Sequence, residues 1–303
     1  MKQDMRWRIA VSAAIGLGSG VFCWFLMVRL HQDAADFRWT IRLAQHLLAR
    51  QNPYDTPLEQ YPLTSALFGL PFIHAAPERA AGIFWGLSSA LLAFGLTRTG
   101  YTRLLIFLAY PYWTGVLTAQ WSPLIAASAF FPWLLPATMA KPQVGLPVFL
   151  TRFSPVGWGA CAVVAAASLI VMPNWPVVWL REASGNYRHF FPLLVLPGPL
   201  ILAAVLRYRD RDARFLLLSA LMPQRWFFDS FTLWLIPNTR REIVWTVFLS
   251  WGAGVWRWYH FPHSYTEVGR WTVILFYLPM LAIVLLRSGT GRTEITLASQ
   301  KQG

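Results

Sequence analysis

Acidic residues are scarce in this chain, cysteine is scarcer, and a glycine-rich phosphate loop is missing altogether. Thirteen of 303 residues are Asp or Glu, and the two cysteines, Cys23 and Cys161, each lie inside an apolar run. Two distant thiols in apolar surroundings make neither a disulfide framework nor a thiolate metal site. The six histidines show no spacing typical of zinc, so neither a protein-held metal nor a cofactor is expected. Without a Gly-rich loop opening a helix, nothing is built to cradle a nucleotide. No internal repeat is visible, so a transporter made of repeated halves gains no support. Charged residues make up 13% of the chain, about half of what a soluble domain carries.

What the chain has instead is apolar length. It is 56% hydrophobic and holds 17 Trp, a residue that favours membrane interfaces. The net charge of +13 does not point to nucleic acid. The arginines sit in short clusters between apolar runs, where they orient membrane helices and meet anionic headgroups. The first run, from Ile9 to Leu30 behind Lys2, Arg6 and Arg8, is too long for a signal peptide and reads as a retained helix with its N-terminus in the cytoplasm.

Further apolar runs follow at Ala80 to Leu96, Leu104 to Leu117, Leu124 to Met139, Val156 to Val171, Phe190 to Leu206, Phe215 to Met222, Trp226 to Ile236, Ile243 to Tyr259 and Val268 to Leu286. Together they predict an all-α, polytopic transmembrane bundle of about ten spans in the plasma (inner) membrane. It forms one domain over 1–287, with a polar cytoplasmic tail at 288–303. In this topology Lys141 is an inner, positive-side anchor. Leu63 to Ala76 is short and bracketed by prolines, and reads as an interfacial helix.

The long polar interval after the first span runs from His31 to Pro62 and lies on the outer side. Within it Phe37, Ile41, Ala44 and Leu48 recur at helical spacing, which predicts a juxtamembrane amphipathic helix. Asp36-Phe37 precedes this helix, and Asn52-Pro53-Tyr54 and Tyr61-Pro62 follow it. Further on come Ala119-Gln120-Trp121-Ser122-Pro123-Leu124 and Lys141-Pro142-Gln143. In their order and spacing these motifs resemble the membrane glycosyltransferases of the C superfamily, closest to the polyprenol-phosphate-mannose-dependent type of family 87. The resemblance covers about half the chain, Trp7 to Leu150. It departs from the family's pattern at Leu63, where the family more often has a second proline, and at Ala119, where it has glycine.

The resemblance implies a sugar, most often mannose, moved from a polyprenyl phosphate to a glycolipid or glycan acceptor at the extracytoplasmic face. The family's catalytic Asp aligns with Asp36. A sugar on a phosphate already has a good leaving group, so the chemistry needs one general base and a positive group for the departing phosphate. Inversion without a glycosyl-enzyme intermediate is expected, unlike hydrolases with two facing carboxyl groups.

From the residues themselves Asp36 is either that base or an N-terminal helix cap. Asp33, three residues earlier, is the alternative base. Arg225 stands between two short apolar segments and is a candidate phosphate ligand, or else a structural partner of Asp229 one helical turn on. Arg188 and His189 in a second outer loop are further phosphate candidates. A carrier or flippase of lipid-linked sugars, or a scaffold without activity, are the alternatives to an enzyme.

Overall fold

The computed structural model describes residues 2–55, 61–186 and 189–287. Among them the chain is all-helical, as expected, and the only strand-like feature is an antiparallel bridge between Phe190 and Gln224. In chain order the α-helices are α1 (Lys2–Leu30), α2 (Phe37–Leu48), α3 (Ala66–Gly69), α4 (Pro77–Leu96), α5 (Tyr110–Val116), α6 (Ser122–Ser128), α7 (Pro142–Thr151), α8 (Pro155–Val171), α9 (Trp175–Asn186), α10 (Arg211–Leu221), α11 (Arg240–Tyr259), α12 (Tyr265–Thr272) and α13 (Leu278–Leu286). Tighter 3₁₀ stretches run over Tyr101–Leu108, Pro132–Met139, Gly198–Arg207 and Phe227–Leu235. A 3₁₀ helix rises about 2.0 Å per residue. Eight residues therefore reach as far as about eleven in an α-helix, and these short apolar segments still traverse much of the bundle.

Among the described residues three stretches are long and apolar enough to cross a membrane: Asp4–Leu30, Pro77–Leu96 and Tyr265–Leu286. At 1.5 Å per residue, twenty residues span about 30 Å, the thickness of a hydrocarbon core. The outward faces of α1, α8 and α11 expose Leu17, Val21, Val163, Ile170 and Phe248, as suits a lipid-facing surface. α8 and the start of α9 form a broken pair turned by 89°. Leu63–Phe72 is a short, interrupted helical piece.

α1 is held almost entirely by α4. A Cβ placed on Gly20 would stand 2.8 Å from the carbonyl oxygen of Gly82, and one on Gly86 would stand 2.8 Å from that of Gly16. The two backbones touch because both helices carry glycine four residues apart, the small-residue packing of membrane helices.

One expectation fails. Leu124 to Met139 is not a single crossing. Through α6 the chain runs away from Asp36 as far as Phe130, just past the helix end, whose carbonyl accepts from Arg98 Nη1 at 2.9 Å. The chain then turns at Pro132 and returns along Pro132–Met139, where the Met139 carbonyl accepts from Thr64 Oγ1 at 3.0 Å. The run is a V, broken by Pro132 and stiffened against α-helix by Pro136. Lys141 therefore stands at the same end of the bundle as Asp36, not at the opposite end. The predicted tail at 288–303 lies outside the described residues.

Candidate functional site

Asp36 immediately precedes α2, but it does not cap the helix with its side chain. Its neighbours explain where it goes instead. Phe37 stacks on Phe84 with ring centroids 4.0 Å apart, and Trp121 packs edge-on against Phe84 at 5.0 Å and Phe68 at 5.3 Å. Phe37 and Trp121 are both completely buried. Each locks the residue before it, so the aromatic cluster brings Asp36 and Gln120 together. The backbone N–H of Asp36 also donates to the Thr118 carbonyl at 3.1 Å.

Ala119 completes the turn with φ +47°, a left-handed conformation that favours glycine and strains any residue with a Cβ. It is the position at which the resembled family carries glycine, and the strain sits next to the candidate site.

The side chains form a continuous polar line. Asp36 Oδ2 accepts from Gln120 Nε2 and from the Tyr61 hydroxyl at 3.4 Å. Gln120 Oε1 accepts from Lys141 Nζ at 2.5 Å. Lys141 Nζ lies 2.7 Å from Asp229 Oδ1 in an ion pair that is 3% and 0% exposed. The second Asp229 oxygen accepts the backbone N–H of Arg225 at 2.9 Å. Asp36 Oδ1 accepts from no described residue.

The turn that carries Arg225 is itself anchored. Gln224 exchanges backbone hydrogen bonds with Phe190 at 2.8 and 2.9 Å. Its amide donates to the Tyr277 hydroxyl and accepts from Ser230 Oγ at 2.7 Å. Tyr277 sits in a five-residue π-helical turn, Val273–Tyr277, between α12 and α13. Such turns re-aim side chains and are frequent at functional sites.

Three cavities meet here. A pocket of about 20 Å³, the size of one water, is lined by Asp36, Tyr61, Lys141, Gln143, Trp179 and Arg225. Asp36 and Arg225 also line a wider cavity of about 750 Å³, walled by Tyr110, Trp251, Arg257 and Trp258. On the other side Pro62 and Trp179 lead into an apolar groove of about 470 Å³ between α7, α8 and α9, lined by Leu146, Phe149 and Trp158.

The structure thus brings Asp36 and Arg225 into one wall. His189 is drawn near, because the Phe190–Gln224 bridge puts it opposite Arg225 in antiparallel register; it is exposed, and its ring packs edge-on to Phe191 at 5.1 Å. Asp33 is not part of the wall. Its half-exposed carboxylate pairs with Arg38 at 3.2 Å. Arg188 lies outside the described residues. The Asp229 carboxylate, weighed as a side-chain partner for Arg225, is instead bound by Lys141 and by the Arg225 backbone.

Sequence reasoning missed Trp179 and gave Lys141 and Gln120 no part in the site. One signal was available: Lys141 is a lone charge within apolar sequence, and charges in such a setting are usually paired with one of opposite sign, which Asp229 supplies. No family model, curated protein or solved structure matches the chain, so the resemblance rests on its motifs alone.

Proposed function

We propose that the chain is a multi-pass membrane glycosyltransferase of about ten spans that moves a sugar, mannose by the family resemblance, from a polyprenyl phosphate to a glycan or glycolipid acceptor at the extracytoplasmic face. The observation that carries this reading is that Asp36 and Arg225 share the wall between an apolar groove and a wide aromatic cavity. A carboxylate and a guanidinium are the two groups that the displacement needs. The groove suits an isoprenoid chain, and the aromatic walls of the wider cavity suit sugar rings.

In the proposed step the acceptor hydroxyl oxygen bonds to the anomeric carbon while Asp36 Oδ1 takes its proton. The bond from that carbon to the phosphate oxygen breaks, and the electron pair leaves on the polyprenyl phosphate. Arg225 holds the developing negative charge, a role suited to its planar fork of donors. His189, opposite Arg225 across the bridge, is a candidate second contact to the phosphate, and Arg188 remains a candidate from the sequence alone. Attack opposite the leaving group inverts the anomeric centre, so a single carboxylate is enough.

The test incubates purified protein with radiolabelled polyprenyl-phosphate sugars and membrane acceptors. Wild type should transfer label. Asp36→Asn should lose about 10²- to 10⁴-fold, the usual contribution of a general base, while keeping its thermal unfolding midpoint. Equal transfer by both would remove Asp36 from the mechanism. Retention at the anomeric carbon would exclude the single displacement.

A further inference from the structure

Between Asp36 and the buried Lys141–Asp229 pair lies a single amide, that of Gln120, with no exposed surface. The two ends of an amide differ: its oxygen only accepts and its NH₂ only donates. The Lys141 ammonium has donors and no acceptor. It must therefore face Oε1, which it does at 2.5 Å. Nε2 is left to face Asp36, and it donates to Oδ2. A Gln120 turned the other way would set its oxygen against a carboxylate oxygen and its NH₂ against an ammonium, losing both contacts.

Lys141 is fixed in turn by Asp229, and Asp229 by the backbone N–H of Arg225. We propose that Gln120, Lys141 and Asp229 are positioning residues for Asp36: Lys141 sets the orientation of the Gln120 amide, and the amide pins Oδ2 so that Oδ1 is the oxygen presented to the cavity. The same line ends on the Arg225 backbone, so the carboxylate and the guanidinium are registered to each other by one buried network. This deepens the glycosyltransferase reading and rests on Asp36 being its base, yet the positioning itself can be read without any turnover.

A direct readout is the carboxylate stretch of Asp36 in protein labelled with ¹³C-aspartate, isolated by subtracting the Asp36→Asn spectrum at fixed pH. Gln120→Leu, close in volume, should shift the band by removing one of the two donors on Oδ2 and leaving only the longer contact from the Tyr61 hydroxyl. Lys141→Met/Asp229→Leu removes both charges, so no lone buried charge remains, and it should shift the band in the same direction. The two changes should not add. In the Gln120→Leu background, removing the pair should move the band no further, because Lys141 acts through the amide. Lys141→Arg, which also offers only donors, should keep the wild-type band.

In the transfer assay, kcat should fall about 10- to 100-fold in Gln120→Leu and in the paired variant, with KM within about twofold, as expected of a misplaced reacting group. An unchanged band in Gln120→Leu overturns the proposal even if the paired variant fails to fold. So does a pair-removal shift of equal size with and without Gln120. If the band behaves as expected while wild type transfers no sugar, the positioning network stands and the glycosyltransferase reading falls.

Discussion

At the end of the bundle away from Asp36, arginines close helices. Arg8 donates to the Phe94 carbonyl at 3.1 Å, Arg103 to Leu235 at 3.2 Å, Arg207 to Leu285 at 3.2 Å and Arg287 to Ile236 at 2.6 Å. These are carbonyls at or near helix C-termini, left without partners inside the helix and carrying the negative end of its dipole. Arg287 also clamps Asp212 and Glu242, each at 2.8 Å, and Glu242 with Thr239 makes a capping box at the start of α11.

At the Asp36 end the charges lie in a different setting. Lys141 and Asp229 are buried more deeply than any group of the Arg287 clamp, and their line of contacts runs through Gln120 to the Oδ2 of Asp36. One end uses charge to finish helices. The other also keeps a pair, Lys141–Asp229, buried beneath the wall of the candidate site.

The largest effect that tests this contrast is on stability. Asp229→Leu alone strands the Lys141 ammonium in the interior and should lower unfolding stability by about 3–5 kcal/mol. Lys141→Met/Asp229→Leu should recover much of that loss, since a buried pair replaced by apolar groups is often nearly neutral. Thermal unfolding in detergent reads both. If the single and paired variants are equally destabilised, the pair is not the buried unit described here.

At the opposite end, Arg287→Met should cost less, about 1–3 kcal/mol, because Asp212 and Glu242 keep partial access to water. It should leave transfer at saturating substrate within about twofold. A loss of transfer as large as that of Asp36→Asn would break the division of roles between the two ends.

The clamp also predicts a dependence on pH. Burial alone pushes the Glu242 carboxyl up, but hydrogen bonds from Arg287 and from the N–H groups of Asn238 and Thr239 outweigh it and hold it below the ordinary carboxylate range. A carboxyl lowered in the folded state contributes stability that is fully present above its unfolded value, about 4.3, and is lost as pH falls through the folded value. Wild type should therefore lose stability below about pH 4 more steeply than Glu242→Gln. Parallel curves for the two proteins would remove Glu242 from the acid limb.

The smallest effect separates the two neighbouring aspartates. Asp33→Asn breaks only the exposed pair with Arg38 and should change stability by less than about 1 kcal/mol. Transfer should stay close to wild type, against the loss expected for Asp36→Asn. Equal losses at both positions would return Asp33 to the site.

Composition and periodicity were enough for the membrane-like, all-helical class, the long first helix and the amphipathic α2, whereas Asp36 was chosen on the motif resemblance and Arg225 as a charge between two short apolar segments. Apolar length and helical spacing are local properties, and one chain suffices to show them. The V between Ser122 and Met139, the place of Lys141 beside Asp36, the separation of Asp33 from the wall and the orientation of Gln120 were decided only by the tertiary structure. An apolar run with prolines reads the same whether it crosses or turns back. A lone charge inside such a run declares its partner only when another segment brings the opposite charge to meet it.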